Sequence, residues 1–430
     1  MIRPSDKLIV LGRKLLNSPA EWQELGRFNG LQLPFRLTPG STLRIPLRLI
    51  GSTPARGRLV SVNGDVQLLG APAAAGTAVA EGGRLQTGAN SSAVLELADG
   101  SRVTLLPNTL AELVTSRGYA TRDAAASGSA IWFAGLVRLV QGGLDTAASK
   151  TAQRAQPLQI QTPTSLVGVR GTQFRVAFDD PASDSYRTEV VEGTVRADNP
   201  AQQSGADLPK GTGAVVRPAE KEVKVVALLP APDLAGVPGM VLKPDGGWLM
   251  PVLTGAQAYR VQLASDEKFE KITRDLKVTS PSVDLTSLAN GTWFARVRGI
   301  DKQGLEGFDS FKRLLVKNAE WRVSYASLSI ANGQSELIWT AQQTDGQPFS
   351  GTAYGATLAR NAAFTQGVTT AQGADARLIL GDLQPGVYFF RLRATLASGG
   401  SLDSMVYRFE IPAGWGQTVN VLNSPLVAVN

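Results

Sequence analysis

Residues 166–176 read Leu-Val-Gly-Val-Arg-Gly-Thr-Gln-Phe-Arg-Val, and this segment predicts the kind of fold that the chain adopts. From Thr172 onward the side chains alternate: Phe174 and Val176 share the face of Thr172, and polar residues occupy the other face. A period of two is typical of a half-buried β-strand. Gly171 comes just before it, where a bulge or a close backbone approach favours glycine. The segment therefore predicts the middle of a β-rich domain.

The composition points to several mainly β domains and excludes much enzyme chemistry. The chain has 430 residues, more than one hydrophobic core usually serves. Its 45 glycines and widely spread β-branched residues favour many short strands joined by turns. The chain has no cysteine and no histidine. Disulfides, cysteine nucleophiles, the Ser-His-Asp triad and the zinc motifs are therefore excluded, and only carboxylate, lysine or tyrosine chemistry remains.

Positive charge is concentrated at the N-terminus. The formal net charge of the chain is +7, and residues 1–50 carry eight basic and three acidic residues, which gives +5. A basic N-terminal module is attracted to anionic partners such as wall polymers, lipopolysaccharide or nucleic acid. The alternative is an ordinary solvated surface, because net charge bears on solubility and association rather than on a specific site.

Residues 1–50 predict a small α+β module. Leu8, Leu11 and Leu15 share one helical face, and residues 18–21 (Ser-Pro-Ala-Glu) have the pattern of a helix start. A turn at Pro39-Gly40 and a short strand over residues 43–45 complete the module.

This module resembles a LysM domain, and residues 37–46 (Leu-Thr-Pro-Gly-Ser-Thr-Leu-Arg-Ile-Pro) carry the most specific part of the match. The resemblance implies a strand–helix–helix–strand fold that binds peptidoglycan or another N-acetylglucosamine glycan. The implied glycan-binding residues are Ser5, Asp6, Lys7, Asn29, Gly30 and Leu31. Ser5 and Lys7 replace the glycine and threonine of the family pattern, so the alternative is a module kept only for structure.

We expect a periplasmic or cell-surface protein. The first strand of the module would be too short if it began at Met1, since strands usually have ~3–10 residues. We therefore expect the native product to begin upstream with a signal peptide, which Met1 and the residues after it do not form. No apolar run approaches the ~20 residues of a membrane helix.

Residues 56–227 predict the large β domain. Asn63-Gly64 and Asp99-Gly100 are hairpin signals between short strands, and residues 201–221 read as a polar loop. Four segments, beginning at Leu85, Leu105, Val167 and Val190, make the domain resemble the FecR domain. The namesake of that family passes a surface signal to a sigma factor through a cytoplasmic segment and one membrane helix. The given chain shows neither, so the resemblance implies an extracytoplasmic β-rich sandwich or roll for binding or scaffolding.

The FecR-like motif supplies a second set of candidate residues: Arg170, Gly171, Thr172, Phe174, Glu192 and Gly193. Arg170 has two interpretations. Its guanidinium could hold an anionic ligand or partner by bidentate contacts, or it could pair with Glu192 across the sheet.

An internal repeat follows a proline-rich linker. Leu263, Phe294, Arg296 and Arg298 recur 95 residues later, with Tyr388 in the place of Trp293, and a period near 100 residues matches an immunoglobulin-like sandwich. Both copies resemble fibronectin type III modules. The paired arginines suggest a glycan or nucleic-acid surface, and the alternative is an exposed sheet face on which arginine stems cover apolar surface. The predicted boundaries are 1–50, 56–227, 228–239 (linker), 240–318 and 319–413 (repeats), and 414–430 (tail).

Three functions remain open from the sequence. The first is a non-enzymatic envelope protein that is tethered to peptidoglycan and presents its other modules as a scaffold. The second is an envelope signalling component that regulates a protein partner through the FecR-like domain. The third is a carboxylate glycosidase, which would need two facing acids ~5–10 Å apart. We expect no catalytic residue, metal, cofactor or nucleic-acid partner.

Overall fold

Strands build most of the chain in this computed structural model, and the prediction of a mainly β, multidomain protein is confirmed. The structure describes residues 1–127, 132–150, 154–169, 171–178, 185–243, 247–318, 320–343, 346–396 and 401–429. The chain divides into two units. Unit one contains Met1–Val237, Leu249–Ser282 and Trp293–Arg313, and unit two contains Pro238–Trp248, Val283–Thr292 and Leu314–Asn430.

The N-terminal module has two helices, α1 (Leu8–Leu15) and α2 (Trp22–Phe28). Single turns of 3-10 helix lie at Pro19–Glu21 and Leu47–Leu49. The helices enclose a small core of apolar side chains, namely Leu8, Leu16, Leu25, Phe35 and Leu49. Ile2 exchanges backbone hydrogen bonds with Gly40 and Ser41, which places the first residues beside the closing segment.

The strand expected at residues 43–45 is not formed. The side chain of Asn29 takes both backbone groups of Arg44: its Nδ2 donates to the Arg44 carbonyl, and its Oδ1 accepts from the Arg44 N–H, each at 2.8 Å. A strand ladder would need those same two groups.

The described residues between 51 and 227 form a domain of eighteen strands and one helix, α3 (Arg122–Ser127), and a further 3-10 turn lies at Pro200–Gln202. The strands are β1 (Gly51–Pro54), β2 (Gly57–Asn63), β3 (Val66–Leu68), β4 (Ala71–Pro72), β5 (Ala78–Val79), β6 (Gly83–Thr87), β7 (Ser92–Glu96), β8 (Arg102–Leu105), β9 (Leu110–Ala120), β10 (Trp132–Ala147), β11 (Leu158–Gln161), β12 (Leu166–Val169), β13 (Gln173–Phe178), β14 (Tyr186–Glu192), β15 (Thr194–Asn199), β16 (Ser204–Pro209), β17 (Thr212–Val216) and β18 (Val226–Ala227).

The long strand β10 belongs to both sheets of this domain. Its first part pairs with β9 and β11 in sheet one, and its last part, from Gly142 to Ala147, pairs with β8 and β13 in sheet two. Gly142 adopts φ +84°, and a Cβ there would lie 2.6 Å from Thr109 Cα. Only glycine fits this bend, because it accepts positive φ and has no side chain.

The two sheets enclose one apolar core. Sheet one contains β1, β3, β4, β6, β9, β11, β12, β15 and β16 with the start of β10, and sheet two contains β2, β5, β7, β8, β13, β14, β17 and β18 with its end. Phe174 and Val176 point into this core, as the alternation at residues 172–176 predicts. The opposite, outer face of sheet two carries the charged residues of those strands.

Of the two hairpin turns predicted from the sequence, one is confirmed and one is wrong, and a segment predicted as a loop contains two strands. Asp99-Gly100 is a hairpin turn, as predicted, because β7 pairs with β8. Asn63-Gly64 is not, because β2 pairs with β5 and β7 whereas β3 pairs with β4 and β6 in the other sheet. Residues 201–221 form the strands β16 and β17 rather than only a loop, since their backbones pair with β15 and β14 despite a polar sequence.

The first repeat contributes β19 (Met240–Lys243), β20 (Gly247–Leu249), β21 (Ala258–Ala264), β22 (Ile272–Val278), β23 (Ser282–Asp284), β24 (Gly291–Ile300) and β25 (Ser310–Asn318). In unit one, β21 lies between β22 and β24 in an antiparallel arrangement. One face of these strands is apolar and buried, with Val261, Leu263, Ala295 and Val297. The other face carries polar and charged residues. In unit two, β19 pairs with the end of β25 in parallel.

The second repeat lies entirely in unit two. Its strands are β26 (Trp321–Ala331), β27 (Gln334–Gln343), β28 (Ala353–Ala359), β29 (Thr369–Gly373), β30 (Arg377–Gly381), β31 (Gly386–Thr395), β32 (Ser401–Asp403), β33 (Tyr407–Ile411), β34 (Val421–Asn423) and β35 (Val427–Ala428). They form one sheet of β30, β27, β26 and β34 and another of β29, β28, β31, β33 and β35, with β32 on β31. Trp321, Trp339, Tyr354 and Phe390 pack between them.

The backbone repeats with the offset predicted from the sequence. The bounds of β21 and β28 differ by 95 residues, and so do those of β24 and β31. Phe269 and Phe364, also 95 apart, adopt φ +56° and +55°, a conformation that is uncommon for an aromatic residue. The two copies therefore share local geometry as well as sequence. Across the parts of the chain that the structure describes, no helix has the length and hydropathy to span a bilayer.

Candidate functional site

The predicted glycan-binding residues lie in the loop before α1 and in the turn after α2. Ser5, Lys7 and Gly30 are exposed, and Leu31 packs against the small core of the module. The side-chain amide of Asn29 makes hydrogen bonds within the module, because Nδ2 also donates to the Leu25 carbonyl at 2.8 Å. Of the six predicted residues, these three exposed positions are the most accessible to a ligand.

Asp6 is also engaged within the module. Its Oδ2 accepts a hydrogen bond from the Arg3 N–H at 2.7 Å and closes the turn that leads into α1. A carboxylate that holds its own loop fixes the loop shape.

The FecR-like motif residues form a structural junction. Gly193 has φ +82°, and a Cβ there would lie 2.5 Å from Thr172 Cγ2, so the approach of the two residues requires glycine. Thr172 is buried and its carbonyl accepts from the Ala148 N–H at 2.9 Å. Gly171 has φ +60°, and Phe174 is fully buried. These residues set the path of β13, which places Arg175 on the outer face.

Glu192 forms an ion pair with Lys150 at 2.5 Å. The hydrogen bond from Lys150 lowers the pKa of Glu192. Arg170, the expected partner of Glu192, lies outside the described residues, so both of its interpretations stay predictions.

The outer face of sheet two carries a row of charges that the sequence did not single out. Asp145 on β10 lies opposite Arg175 on β13, and Arg175 lies opposite Glu189 on β14. Arg175 and Glu189 are at most 5% exposed. Charged side chains are almost never this buried unless they are paired, and the polar face of the first repeat supplies the partners.

These residues and their partners from the first repeat are called the charge cluster below. It comprises Arg175, Arg187, Arg260, Arg296 and Arg298 with Asp145, Glu189, Asp275, Glu306 and Asp309. All belong to unit one. The five cations match the five anions, so the cluster is neutral overall.

Glu306 is the centre of the charge cluster. Its Oε1 accepts from Arg187 at 2.7 Å and from Arg260 at 2.9 Å, and its Oε2 lies 3.2 Å from Arg298 Nη1. Its backbone N–H donates to Glu189 Oε1 at 3.2 Å. One carboxylate thereby joins a strand of sheet two to two strands of the first repeat.

Arg175 and Arg296 connect the two sets of strands from opposite sides. Arg175 Nη2 donates to the carbonyls of Glu306 at 3.1 Å and Gly307 at 2.7 Å. In return, Arg296 Nη2 donates to Asp145 Oδ2 at 2.8 Å. These charge-assisted hydrogen bonds are directional, so they fix the alignment of sheet two with the strands of the first repeat as well as their contact.

Gln262 organises the arginines of the first repeat. Its Oε1 accepts from Arg296 and from Arg298 Nη2, the latter at 2.6 Å, and its Nε2 donates to Asp275 at 3.0 Å. Arg260 makes a bidentate pair with Asp275, both contacts at 2.7 Å.

An apolar contact borders the charge cluster. Leu106, directly after β8, packs in one cluster with Ala264, Phe269 and Ile272 of the first repeat. The backbone N–H of Ile272 donates to Ser92 Oγ at 3.0 Å. The FecR-like domain and these strands are therefore joined by apolar packing, hydrogen bonds and ion pairs together.

The electrostatics of the cluster favour the charged carboxylates of Glu306 and Asp145. Burial alone would raise the pKa of Glu306, but Arg187, Arg260 and Arg298 outweigh it and hold the pKa well below 4.5. The pKa of Asp145 is lowered in the same way, because Arg296 and Arg298 outweigh burial. For Glu189 the effect of burial exceeds that of Arg187 and Arg175, so its pKa is raised.

A pocket of about 320 Å³ opens beside the charge cluster. Its lining includes Asp145, Arg175, Arg296 and Asp309 of the cluster, together with Arg102, Lys268 and Glu270. Arg102 and Glu270 pair at 2.8 Å. Glu189 and Glu306 do not line it, and both are bound by arginines. The geometry suits holding the two sets of strands together and binding. The part of the chain that the structure describes contains no group of three or more acidic residues arranged for a metal.

Sequence reasoning missed the charge cluster because its partners are far apart in the chain. Alternation places Arg296 and Arg298 on the polar face of β24, but it does not show what covers that face. Arg298 is fully buried and Arg296 is 11% exposed, so the expected exposed arginine face is wrong for the first repeat. The signal available was the unusual density of arginines on strands whose other face is apolar.

Comparison with known proteins identifies one domain. Residues 83–196 match the family model described as FecR protein, so the chain contains a FecR domain there. No curated protein sequence matches the chain. A protein assigned as an anti-sigma factor from Parabacteroides distasonis ATCC 8503 is similar in structure, with 14% identity, TM-score 0.27, and 46% of this chain and 99% of that chain covered. The FN1–FN3 domains of chicken CNTN1 are similar with 13% identity, TM-score 0.22, and 55% and 98% covered.

Proposed function

We propose that this chain is a non-enzymatic regulatory or scaffolding protein of the cell envelope, in which the FecR domain and the strands of the first repeat act as one rigid body. The FecR match over residues 83–196 supports the regulatory part. The absence of histidine and cysteine from the sequence supports binding rather than catalysis. The FecR resemblance supports an envelope location and a protein partner.

The charge cluster is the observation that carries the rigid-body part of this proposal. Interfaces between domains within one chain are usually small and mobile. Here Arg187 of the domain binds the buried Glu306 of the repeat, and Arg296 of the repeat binds Asp145 of the domain. Asp145 and Arg296 would each lose this ionic partner if the two separated. A partner would therefore meet a FecR domain whose outer sheet face is already covered.

The test is the transcriptional response to loss of the chain. Cells that naturally make the protein would be compared with a deletion strain and with strains that carry Arg298→Ala or Arg377→Ala. We expect the deletion to change a limited set of transcripts, Arg377→Ala to restore them, and Arg298→Ala to restore them poorly. An unchanged transcriptome in the deletion strain would contradict the regulatory function.

We propose peptidoglycan binding by the N-terminal module as a second candidate. The pairing of Ile2 with Gly40 and Ser41 supports it, because it brings the two ends of the module together around the two helices. Ser5 and Lys7 stay exposed beside that pairing.

Co-sedimentation with purified peptidoglycan tests this candidate. Ser5→Trp would block the loop, and Gln23→Trp, on the exposed surface of α2, is the matched control. We expect retention to fall only for Ser5→Trp and to persist when salt is raised to screen simple charge attraction. Equal retention of both variants would exclude glycan binding at this loop.

A further inference from the structure

The two repeats carry the same arginine–phenylalanine pair at equivalent places: the arginine lies on β24 or β31, and the phenylalanine lies in the connection after β21 or β28. The guanidinium of Arg296 lies over the ring of Phe269 at 4.9 Å, and that of Arg391 lies over Phe364 at 5.1 Å. Each pair combines a cation with an aromatic ring in favourable contact. The second copy therefore reproduces the element that the first copy uses to meet the FecR domain.

In the first repeat this element is completed from outside the repeat. Asp145 of sheet two provides the carboxylate for Arg296, and Leu106, directly after β8, shares an apolar cluster with Phe269. By contrast, the carboxylates for Arg298, namely Glu306 and Asp309, come from the repeat itself. One arginine is thus satisfied within the repeat, and the other is satisfied by the docked sheet.

In the second repeat the equivalent of Arg298 is paired within the repeat. Within the ranges that the structure describes, the equivalent of Arg296 lacks a close carboxylate. Asp403 of the same repeat holds Arg393, the equivalent of Arg298, in a bidentate pair at 2.6 and 2.9 Å. Arg391, the equivalent of Arg296, approaches Asp403 only at 3.9 Å. Among the described residues, Arg391 has no carboxylate within hydrogen-bonding distance.

The surface around Arg391 is also uncovered. The side chains of Arg391 and Arg393 are 38% and 60% exposed, against 11% and 0% for Arg296 and Arg298. Thr357, opposite Arg391 on β28, replaces the buried Gln262 of the first repeat. Arginine and aromatic side chains in such a position are the residues most often central to protein interfaces.

We propose that this face of the second repeat, defined by Phe364, Thr357, Arg391 and Arg393, is a docking site for a β-sheet face of a partner protein. The partner supplies a carboxylate to Arg391, as Asp145 does to Arg296, and an aliphatic side chain to Phe364, as Leu106 does to Phe269. The argument rests on the first repeat as a template and not on the role proposed for the FecR domain.

Site-specific photocrosslinking in the full chain tests the docking site. A benzophenone amino acid would replace Thr357 in cells that naturally make the protein, and the same amino acid at Ile338, on the other sheet of the repeat, is the position control. We expect one prominent protein adduct from position 357, with the crosslinked partner residue on a strand that carries an aspartate or glutamate.

Charge reversal then separates this site from general charge attraction. Arg391→Glu should reduce the adduct at least tenfold, whereas Arg377→Glu, which reverses an exposed paired arginine on the other sheet, should leave it unchanged. Replacing the partner's carboxylate by arginine should restore the adduct with Arg391→Glu. No protein adduct at position 357, an adduct to nucleic acid or polysaccharide, or equal loss in both variants would overturn the proposal.

Discussion

The two repeats place equivalent arginines in opposite environments. Arg298 is fully buried in the first repeat, whereas its equivalent Arg393 is 60% exposed in the second. Both make ion pairs, yet an exposed pair contributes only about 0–1 kcal/mol, whereas removing one partner of a buried pair costs about 3–5 kcal/mol. The comparison shows that a strand pattern determines which face is polar, and that the neighbouring domain determines what the polar face does.

The largest difference is expected from truncating these two arginines. Arg298→Ala leaves Glu306 and Asp309 buried beside a cavity, so unit one should lose about 3–5 kcal/mol of unfolding free energy. Arg393→Ala should change stability by less than about 1 kcal/mol. Differential scanning calorimetry of the full chain would measure both, and equal shifts of the unfolding transitions would remove the distinction between the repeats.

Truncating the stacked phenylalanines should give the next largest difference. Phe269 is 4% exposed and packs against Leu106, so Phe269→Ala should destabilise by about 3 kcal/mol through lost packing. Phe364→Ala should cost clearly less, because Phe364 is only half-buried. Thermal unfolding followed by circular dichroism provides the measurement, and a larger loss for Phe364→Ala would contradict the account.

A double-mutant cycle would sharpen the comparison at the level of single contacts. The Asp145–Arg296 contact is nearly buried, and its coupling energy should be about 1–3 kcal/mol. The Asp403–Arg393 contact is exposed, and its coupling should stay below about 1 kcal/mol. Denaturant titrations of the single and double variants supply both values. A stronger coupling in the exposed pair would reverse the ranking.

The smallest effect is expected from acid. The pKa of Glu306 is lowered, so its contribution is present above the ordinary value of 4.5 and is lost as pH falls below it. The raised pKa of Glu189 acts with the opposite sign, since its contribution is present below 4.5 and is lost as pH rises.

The unfolding free energy measured between pH 3 and pH 6 checks the direction of these two contributions. Glu306→Gln should flatten the loss of stability of unit one in acid, and Glu189→Gln should steepen it. A chain with Glu306→Gln that still loses stability as steeply as the wild type would show that other carboxylates control the acid response.

The sequence predicts the strands and the repeat, but not the contacts between modules. The alternation at residues 172–176 is a local periodicity that a single strand is enough to show. The 95-residue offset needs only a comparison of the sequence with itself. The Arg296–Asp145 contact joins residues 151 positions apart, and no local pattern encodes it. The strand expected at 43–45 fails for a similar reason, because the side chain of Asn29 competes for the backbone of Arg44.

Chemical modification of arginine tests the central claim most directly. Phenylglyoxal would be added to the native chain, and the modification rate of each arginine would be followed by mass spectrometry, with the unfolded chain as the reference for full reactivity. We expect Arg391 and Arg393 to react quickly, and Arg175, Arg187 and Arg298 to stay protected until unit one unfolds. Modification of Arg298 at the rate of Arg393 in the native chain would show that the charge cluster is open to solvent and would contradict the account.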